Sequence, residues 1–494
     1  MATQTAVLTK DLNLNIELIK NIFKNDETLV TRYIESQADF SIKCCVFYID
    51  GMVDNRLLNQ DIIKPILEYK FTKNMPDFID IIAKQIILSN KVEKTSDFEK
   101  IEQAIVYGNS ILMADGSADV LILNTKGWNA RPLTEPDNEK VLRGPREGFN
   151  ESLFTNLSML RRRLRTPELK MEFKTFGTRS NTKACVCYID NLVNKKILAE
   201  LERRLNKFSI DGVLDVNYIG EFIKDEPYSP IKTIGSTERP DTVAAKLLEG
   251  RIALFLDGTP VIFTMPYLFI ENFQSNDDYY INYFFSSISR MLRIIGFFIS
   301  SSVPALYVAL TTFHHEILPT QLAVSISMAR QGVPFPTVIE AIGMMIIFEI
   351  LRETAIRTTQ SIGQALSIVG ALVIGQAAVD AKLISAPMII IISIAGITGI
   401  MLPRIKGLAI ILRIILLVLS SIIGLYGYIF GMMGLLLYLI NMRSFGIPIM
   451  GGIGDGDFQG SKDIFVRAPW WFMINRPKFM SADKVRSNSD GDPE

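Results

Sequence analysis

Between Ile294 and Ile440 the chain carries several apolar runs long enough to cross a bilayer, and no other feature restricts its fold as much. A hydrocarbon core of about 30 Å takes about 20 helical residues, and open backbone inside it must be hydrogen-bonded within helices or a closed barrel. Ile294–Phe313 is the first run, and Arg290 and Arg293 ahead of it place that end on the cytoplasmic side. After the loop HHEILPT, Thr320–Gly332 is weakly amphipathic and reads as an interfacial segment. The stretch from Pro334 crosses back, with Arg352 and Arg357 at its inner end. Ile362–Val379 then runs outward and Leu383–Leu402 inward, landing on Arg404 and Lys406. Leu408–Ile440 is too long for one helix of ordinary tilt, and its Gly-rich middle, GLYGYIFG, makes it a hairpin of two short spans. Six crossings with both termini cytoplasmic satisfy every flank; four crossings plus a surface helix is the competing count. The expectation is an all-α polytopic transmembrane bundle over 283–445, followed by a cytoplasmic tail over 446–494.

The region ahead of the bundle is mixed and charged. Lys plus Arg total 52 against 52 Asp plus Glu, so no net field draws the chain to nucleic acid. The N-terminus lacks a charged segment followed by an apolar one, so no cleaved secretory signal is expected and the region stays cytoplasmic. Two of its segments match: KCCVFYIDGMVDNRLL from Lys43 and KACVCYIDNLVNKKIL from Lys183, at an offset of 140 residues from Cys45 to Cys185. Each reads as a buried strand running into an amphipathic helix. Each copy also ends on two apolar strands around an Asp-Gly turn, Asp115-Gly116 and Asp257-Gly258, a hairpin signal. The fold class is therefore α/β for the soluble region, as two duplicated subdomains, ahead of the helical bundle. The expected partition is a helical N-terminal arm (1–40), a first subdomain (41–130), a connector with a basic helix (131–180) and a second subdomain (181–282).

No catalytic kit accompanies the repeat: there is no P-loop, no GxGxxG after a strand, no GxSxG and no zinc spacing. Neither an enzyme nor a bound cofactor or metal is expected. Asp50 and Asp190 stand at strand-to-helix joints and read as helix caps rather than acid–base residues. Cys44, Cys45, Cys185 and Cys187 lie in strand-like runs without CxxC spacing and read as buried thiols of a reducing compartment. His314 and His315 are adjacent with no third ligand nearby, which disfavours a metal site. The connector offers Arg143, Arg146 and Glu147 as interdomain contacts. Its basic run Arg161–Arg165 is either a solvated face or a docking surface for a neighbouring subunit or anionic lipid.

Charges inside the bundle are the informative part. Glu340, Glu349, Arg352, Glu353 and Arg357 lie on one expected helix, and an ionised residue near a bilayer centre costs roughly 2.5–3.5 kcal/mol on insertion scales. Glu349 with Arg352 and Glu353 with Arg357 are spaced to pair, whereas Glu340 has no such neighbour. The next expected helix carries a small-residue face, Gly363, Ser367 and Gly370, and a separate stripe of Ile362, Leu366, Val369, Val373, Gln376 and Asp380. Around an oligomer axis that stripe would make an apolar constriction with an acidic mouth, which gates by dewetting and favours cations. The same stripe also suits lipid or a neighbouring helix.

Several segments together resemble the A subunits of spore germination receptors, the GerA family. They are EPDNEKVLRGPREGFNESLFTNLSMLRRRLR from Glu135 and RPDTVAAKLLEGRIALFLDGTPVIFTMP from Arg239. In the membrane part they are VPALYVALTTFHHEILPT, VPFPTVIEAIGMMIIFEILRETAIR and IGQALSIVGALVIGQAAVDAKLISAPM. The resemblance implies a multi-pass protein of the spore inner membrane, its soluble region facing the spore core. It implies assembly with a permease-like B subunit that senses nutrients and a lipoprotein C subunit, and self-association as a pentamer into a germinant-gated cation channel that triggers germination. A transporter-like subunit, for which Pro304, Pro334, Pro336 and Pro387 would break helices, and a membrane scaffold are the alternatives.

Overall fold

The computed structural model describes residues 8–35, 42–71, 78–89, 91–127, 136, 139, 141, 143–357, 370, 373–451, 463–476, 480, 481, 485 and 486. The soluble region holds two five-stranded antiparallel sheets of the same strand order, β1-β2-β4-β5-β3 and β6-β7-β9-β10-β8. The first comprises β1 (Leu29–Glu35), β2 (Lys43–Ile49), β3 (Val92–Thr95), β4 (Ser110–Ala114) and β5 (Val120–Leu123). The second comprises β6 (Leu169–Phe176), β7 (Thr182–Ile189), β8 (Gly235–Thr237), β9 (Ile252–Leu256) and β10 (Ile262–Met265).

Both faces of each sheet are covered, which is why the central strands read as continuous rather than alternating apolar runs. Cys44 and Val46 of β2 face a layer built from helical residues 55–68 and 78–86. Cys45, Phe47 and Ile49 face helices α1 (Leu12–Ile22) and α2 (Phe98–Val106). In the second unit Cys185 and Cys187 pack under α3 (Leu153–Arg163) and α5 (Pro240–Leu248), and Val186 and Tyr188 under α4 (Lys195–Leu205). All four cysteines are free and buried, and burial pushes the Cys44 and Cys45 thiols up to about 12. Cys44 and Cys45 are therefore packing groups at neutral pH, not nucleophiles.

The equivalence of the two units reaches beyond the segments visible in the sequence. Cys45 pairs with Met113 and Cys185 with Phe255 in matching registers. Asn15 of α1 closes back on Thr9 (2.9 and 2.7 Å), and Asn156 of α3 closes on Asn150 in the same way (2.9 and 2.6 Å). The hairpin carboxylates Asp115 and Asp257 accept from the first amides of α1 and α3.

Three expectations need correction. The N-terminal arm over 1–40 is not wholly helical, because residues 29–35 form edge strand β1, in register with β2 from Leu29–Ile49 to Glu35–Lys43. The connector over 131–180 likewise contains strand β6 of the second sheet. Asp50 and Asp190 do not cap helices: the chain first makes a tight turn, with Gly51 at φ 79°, and the caps are Asp54 and Asn194 four residues on.

The C-terminal region is helical. It comprises α6 (Tyr283–Thr312), α7 (Thr320–Ala329), α8 (Thr337–Arg357), α9 (Ala386–Ile400), α10 (Lys406–Ile423) and α11 (Leu425–Asn441), with residues 373–380 also helical. Two of these, α6 and α10, are long and apolar enough to cross a membrane. The break between α10 and α11 is Gly424 at φ 69°, inside the Gly-rich segment expected to turn. The chain after α11 returns to the soluble region. Phe445, Ile447 and Met480 enter the core of the second unit, and the Ser481 hydroxyl donates to the Leu192 carbonyl at 3.1 Å.

Candidate functional site

Several charged groups of the helical region are paired, some within one helix and some across helices. Glu349 forms an ion pair with Arg352 one turn on, and Glu353 pairs with Arg357 at 2.7 Å on an exposed part of α8. Glu340, which has no partner on its own helix, is buried and finds one elsewhere. Its carboxylate accepts from the Ser385 amide and hydroxyl, both at 2.8 Å, and lies 3.4 Å from Arg330. The carboxylate thus holds the start of α9 and the end of α7 to α8.

Arg413, in the middle of α10 and 3% exposed, was not singled out by the sequence reading. Its Nε donates to the Ser300 carbonyl at 2.6 Å, and its Nη2 donates to the Ser300 hydroxyl at 2.6 Å and the Ala395 carbonyl at 3.2 Å. The first of these has a specific cause. Residue 304, which would supply the helical N–H to the Ser300 carbonyl, is proline, so that acceptor is left open inside α6. Arg413 fills it. The same contacts tie α6, α9 and α10 together around one cation, with Glu349 4.0 Å away.

Of the apolar stripe proposed to face an axis, Ile362, Leu366 and Val369 lie outside the described residues. Val373, Gln376 and Asp380 are exposed on the single chain.

A second set of buried charges joins the soluble region to the helices. Asp278 accepts from Arg293 at 2.5 and 2.6 Å and from Arg290 at 3.3 Å, and Arg290 reaches Asp463 of the tail at 2.9 Å. Arg404, just ahead of α10, pairs with Glu139 of the connector at 2.8 Å. Glu271 sits between Arg251 and Lys246, the latter at 2.6 Å. Burial works to raise its carboxyl, but the two cations outweigh it and hold it down at about 2.

The basic run Arg161–Arg165 is not uniformly solvated: Arg165 is exposed, Arg162 and Arg163 are half-buried and Arg161 is buried. Arg161 is 1% exposed and its Nη2 donates to Asp26, in the turn before β1, at 2.6 Å and to Thr28 at 3.2 Å. Nη1 reaches the Leu169 carbonyl at 3.3 Å, so this side chain pins the first unit to the second. Arg163 is taken by Glu147 at 2.7 Å, while Arg143 and Arg146 are exposed. Arg239, fully buried, strings the connector to the second unit through Asp241 at 2.9 Å and the carbonyls of Glu139 and Pro145.

With two matched α/β units strapped to a helical region by buried charges, comparison with known proteins is decisive. A family model described as Bacillus/Clostridium GerA spore germination protein matches residues 17–479. The chain belongs to the GerA spore germination family. Among GerA relatives, spore germination protein KA of Bacillus subtilis (strain 168) is 40% identical over 493 residues, covering 99% of this chain and 90% of that one. Spore germination protein GerLA of Bacillus cereus is 33% identical, over 94% of each chain. Among solved structures, the N-terminal domain of the A subunit of the Bacillus megaterium spore germinant receptor GerK3 is 30% identical. It aligns with a TM-score of 0.44, covering 54% of this chain and 98% of that one. The GerA resemblance read from the connector and the membrane segments is therefore one of family membership.

Proposed function

We propose that this chain is the A subunit of a nutrient germinant receptor and that its helical region crosses the spore inner membrane six times, forming part of a cation path. The two α/β units, read as duplicated copies, face the spore core. The partners are a permease-like B subunit, a lipoprotein C subunit and further copies of this chain, arranged as a pentamer. One observation carries the reading. Residues 373–380 are helical within an otherwise apolar region, and Val373, Gln376 and Asp380 are exposed among the described residues. Polar and acidic groups left to lipid are costly, and assembly around a shared water-filled path removes that cost.

The carrier reading rested on prolines breaking helices, but α6 runs continuously through Pro304 with its open carbonyl filled by Arg413. Reconstitution of the complex in planar bilayers with germinant decides between the readings. A pore gives stepwise currents, and Val373→Ala, by widening an apolar constriction, gives a leak without germinant. Slow saturable flux, or a silent bilayer with an unaltered variant, would reject the pore in favour of a carrier or a scaffold.

A further inference from the structure

At the junction of the soluble and helical regions lies a cavity of about 340 Å³, walled by the connector, the second α/β unit and the inner ends of the helices. That volume is within the range of small-molecule sites. Three cations line it: Lys232 from the loop before β8, Arg293 of α6 and Arg404 ahead of α10. The two carboxylates on the wall are already engaged. Glu139 accepts from Arg404 with one oxygen and from the Thr237 hydroxyl (2.6 Å) and the Glu238 amide (3.1 Å) with the other. Glu238 is not without a partner either. Arg293 is balanced by Asp278.

Lys232 is different. Among the described residues its ammonium makes no hydrogen bond and no ion pair, although it stands in a cavity with two guanidinium groups. Lys232 is exposed, and partial desolvation, then Arg404, push it below the ordinary lysine value against the opposing pull of Glu139. The wall thus keeps one ammonium, with its three N–H donors, outside the ion pairs that engage Arg404 and Arg293.

We propose that this cavity binds a phosphate-bearing anion, with Lys232 as the principal ligand and Arg404 and Arg293 completing the positive wall. The chemistry suits a soluble phosphate ester and the headgroup of an anionic phospholipid alike, since Arg293 and Arg404 stand at the inner ends of apolar helices. Occupancy joins the connector, the second unit, α6 and the start of α10 through one ligand. This goes beyond the channel reading, and binding rather than current is measured, so each can fail alone.

The test uses the full-length chain. In one arm, inorganic phosphate and glycerol phosphate are titrated calorimetrically in detergent. In the other, native mass spectrometry follows phosphatidylglycerol retained from vesicles mixed with phosphatidylcholine. Lys232→Gln removes no contact that holds the fold, and its melting temperature without ligand should equal that of the parent. It should weaken binding about tenfold or more in whichever arm binds. Lys207→Gln, the same charge change at an exposed position away from the cavity, should leave binding within about twofold. Saturable soluble phosphate identifies a free ligand, and retention of phosphatidylglycerol alone identifies a headgroup. No saturable binding in either arm, or equal effects of the two substitutions, would overturn the proposal.

Discussion

Arg413→Met removes the guanidinium from the centre of the helical region while keeping most of the side-chain volume. Three hydrogen bonds go with it: two to Ser300 at 2.6 Å and one to the Ala395 carbonyl at 3.2 Å. Side-chain hydrogen bonds within membrane bundles average about 0.6 and reach about 1.7 kcal/mol, so three give a loss of about 2–5 kcal/mol. The contact to the Ser300 carbonyl has a distinct origin, since Pro304 leaves that acceptor open. Pro304→Ala supplies the missing N–H one turn on. In the parent it competes with Arg413 for an acceptor already satisfied; in Arg413→Met it meets an empty one. A double-mutant cycle should therefore show a favourable coupling of about 1 kcal/mol. The assay is reversible unfolding of the four full-length proteins in mixed micelles, followed by far-ultraviolet circular dichroism. The cycle cancels whatever Pro304→Ala does to packing on its own. Additivity of the two substitutions within about 0.5 kcal/mol would refute the assignment of Arg413 to the open carbonyl.

Asp26→Ala strands the buried Arg161 guanidinium and should cost about 3–5 kcal/mol, whereas Asp26→Leu with Arg161→Met should regain most of it. Hydrogen exchange at the Glu27 amide, which donates to the Met171 carbonyl across the seam between units, reads both. Glu271 is held at about 2 in the folded chain against an ordinary 4.5, so its share of stability is complete above 4.5 and drains as the pH falls toward 2. Over that window acid titration of the melting temperature should show a loss of up to about 3 kcal/mol, which Glu271→Gln flattens. Gly424→Ala places a methyl group 2.8 Å from the Phe313 Cβ at a backbone φ of 69°, and should destabilise the α10–α11 turn by about 1–3 kcal/mol in thermal unfolding.

The central strands were legible because both faces are buried: Cys44 to Ile49 and Ala184 to Ile189 have no solvated side to dilute the apolar signal. The edge strands were not. LVTRYIE and LKMEFKTF mix charges with apolar residues because one side of an edge strand meets solvent or a neighbouring unit, and such segments pass for loop or helix. The turn at Gly424 was legible from glycine density alone. Pairing was legible only where both partners lie on one helix, as with Glu349–Arg352 and Glu353–Arg357. Glu340 with Ser385, Arg161 with Asp26 and Arg413 with Ser300 are set by how helices and units are rotated against each other, which local spacing does not encode. Arg413 did leave a trace: it is a lone cation inside the run Leu408–Ile440, opposite a helix with an internal proline.

The buried bonds between the two regions are not spread evenly. Asp278 and Asp463 hold Arg290 and Arg293, on the first turns of α6, and Glu139 holds Arg404, on the approach to α10. Those two helices are also the ones Arg413 joins deeper in the bundle. A shift of the second α/β unit is therefore transmitted first to α6 and α10 as a pair. Glu353 and Arg357 of α8 are instead exposed and, among the described residues, form an ion pair only with each other. An exposed pair of that kind contributes little, so at this end α8 is held to the α6–α10 frame through Glu349, 4.0 Å from Arg413, rather than through Glu353 and Arg357. Among the described residues, buried charge therefore braces α6 and α10 to the second α/β unit and the tail, while α8 meets that frame through Glu349 alone among its ionised groups near this end.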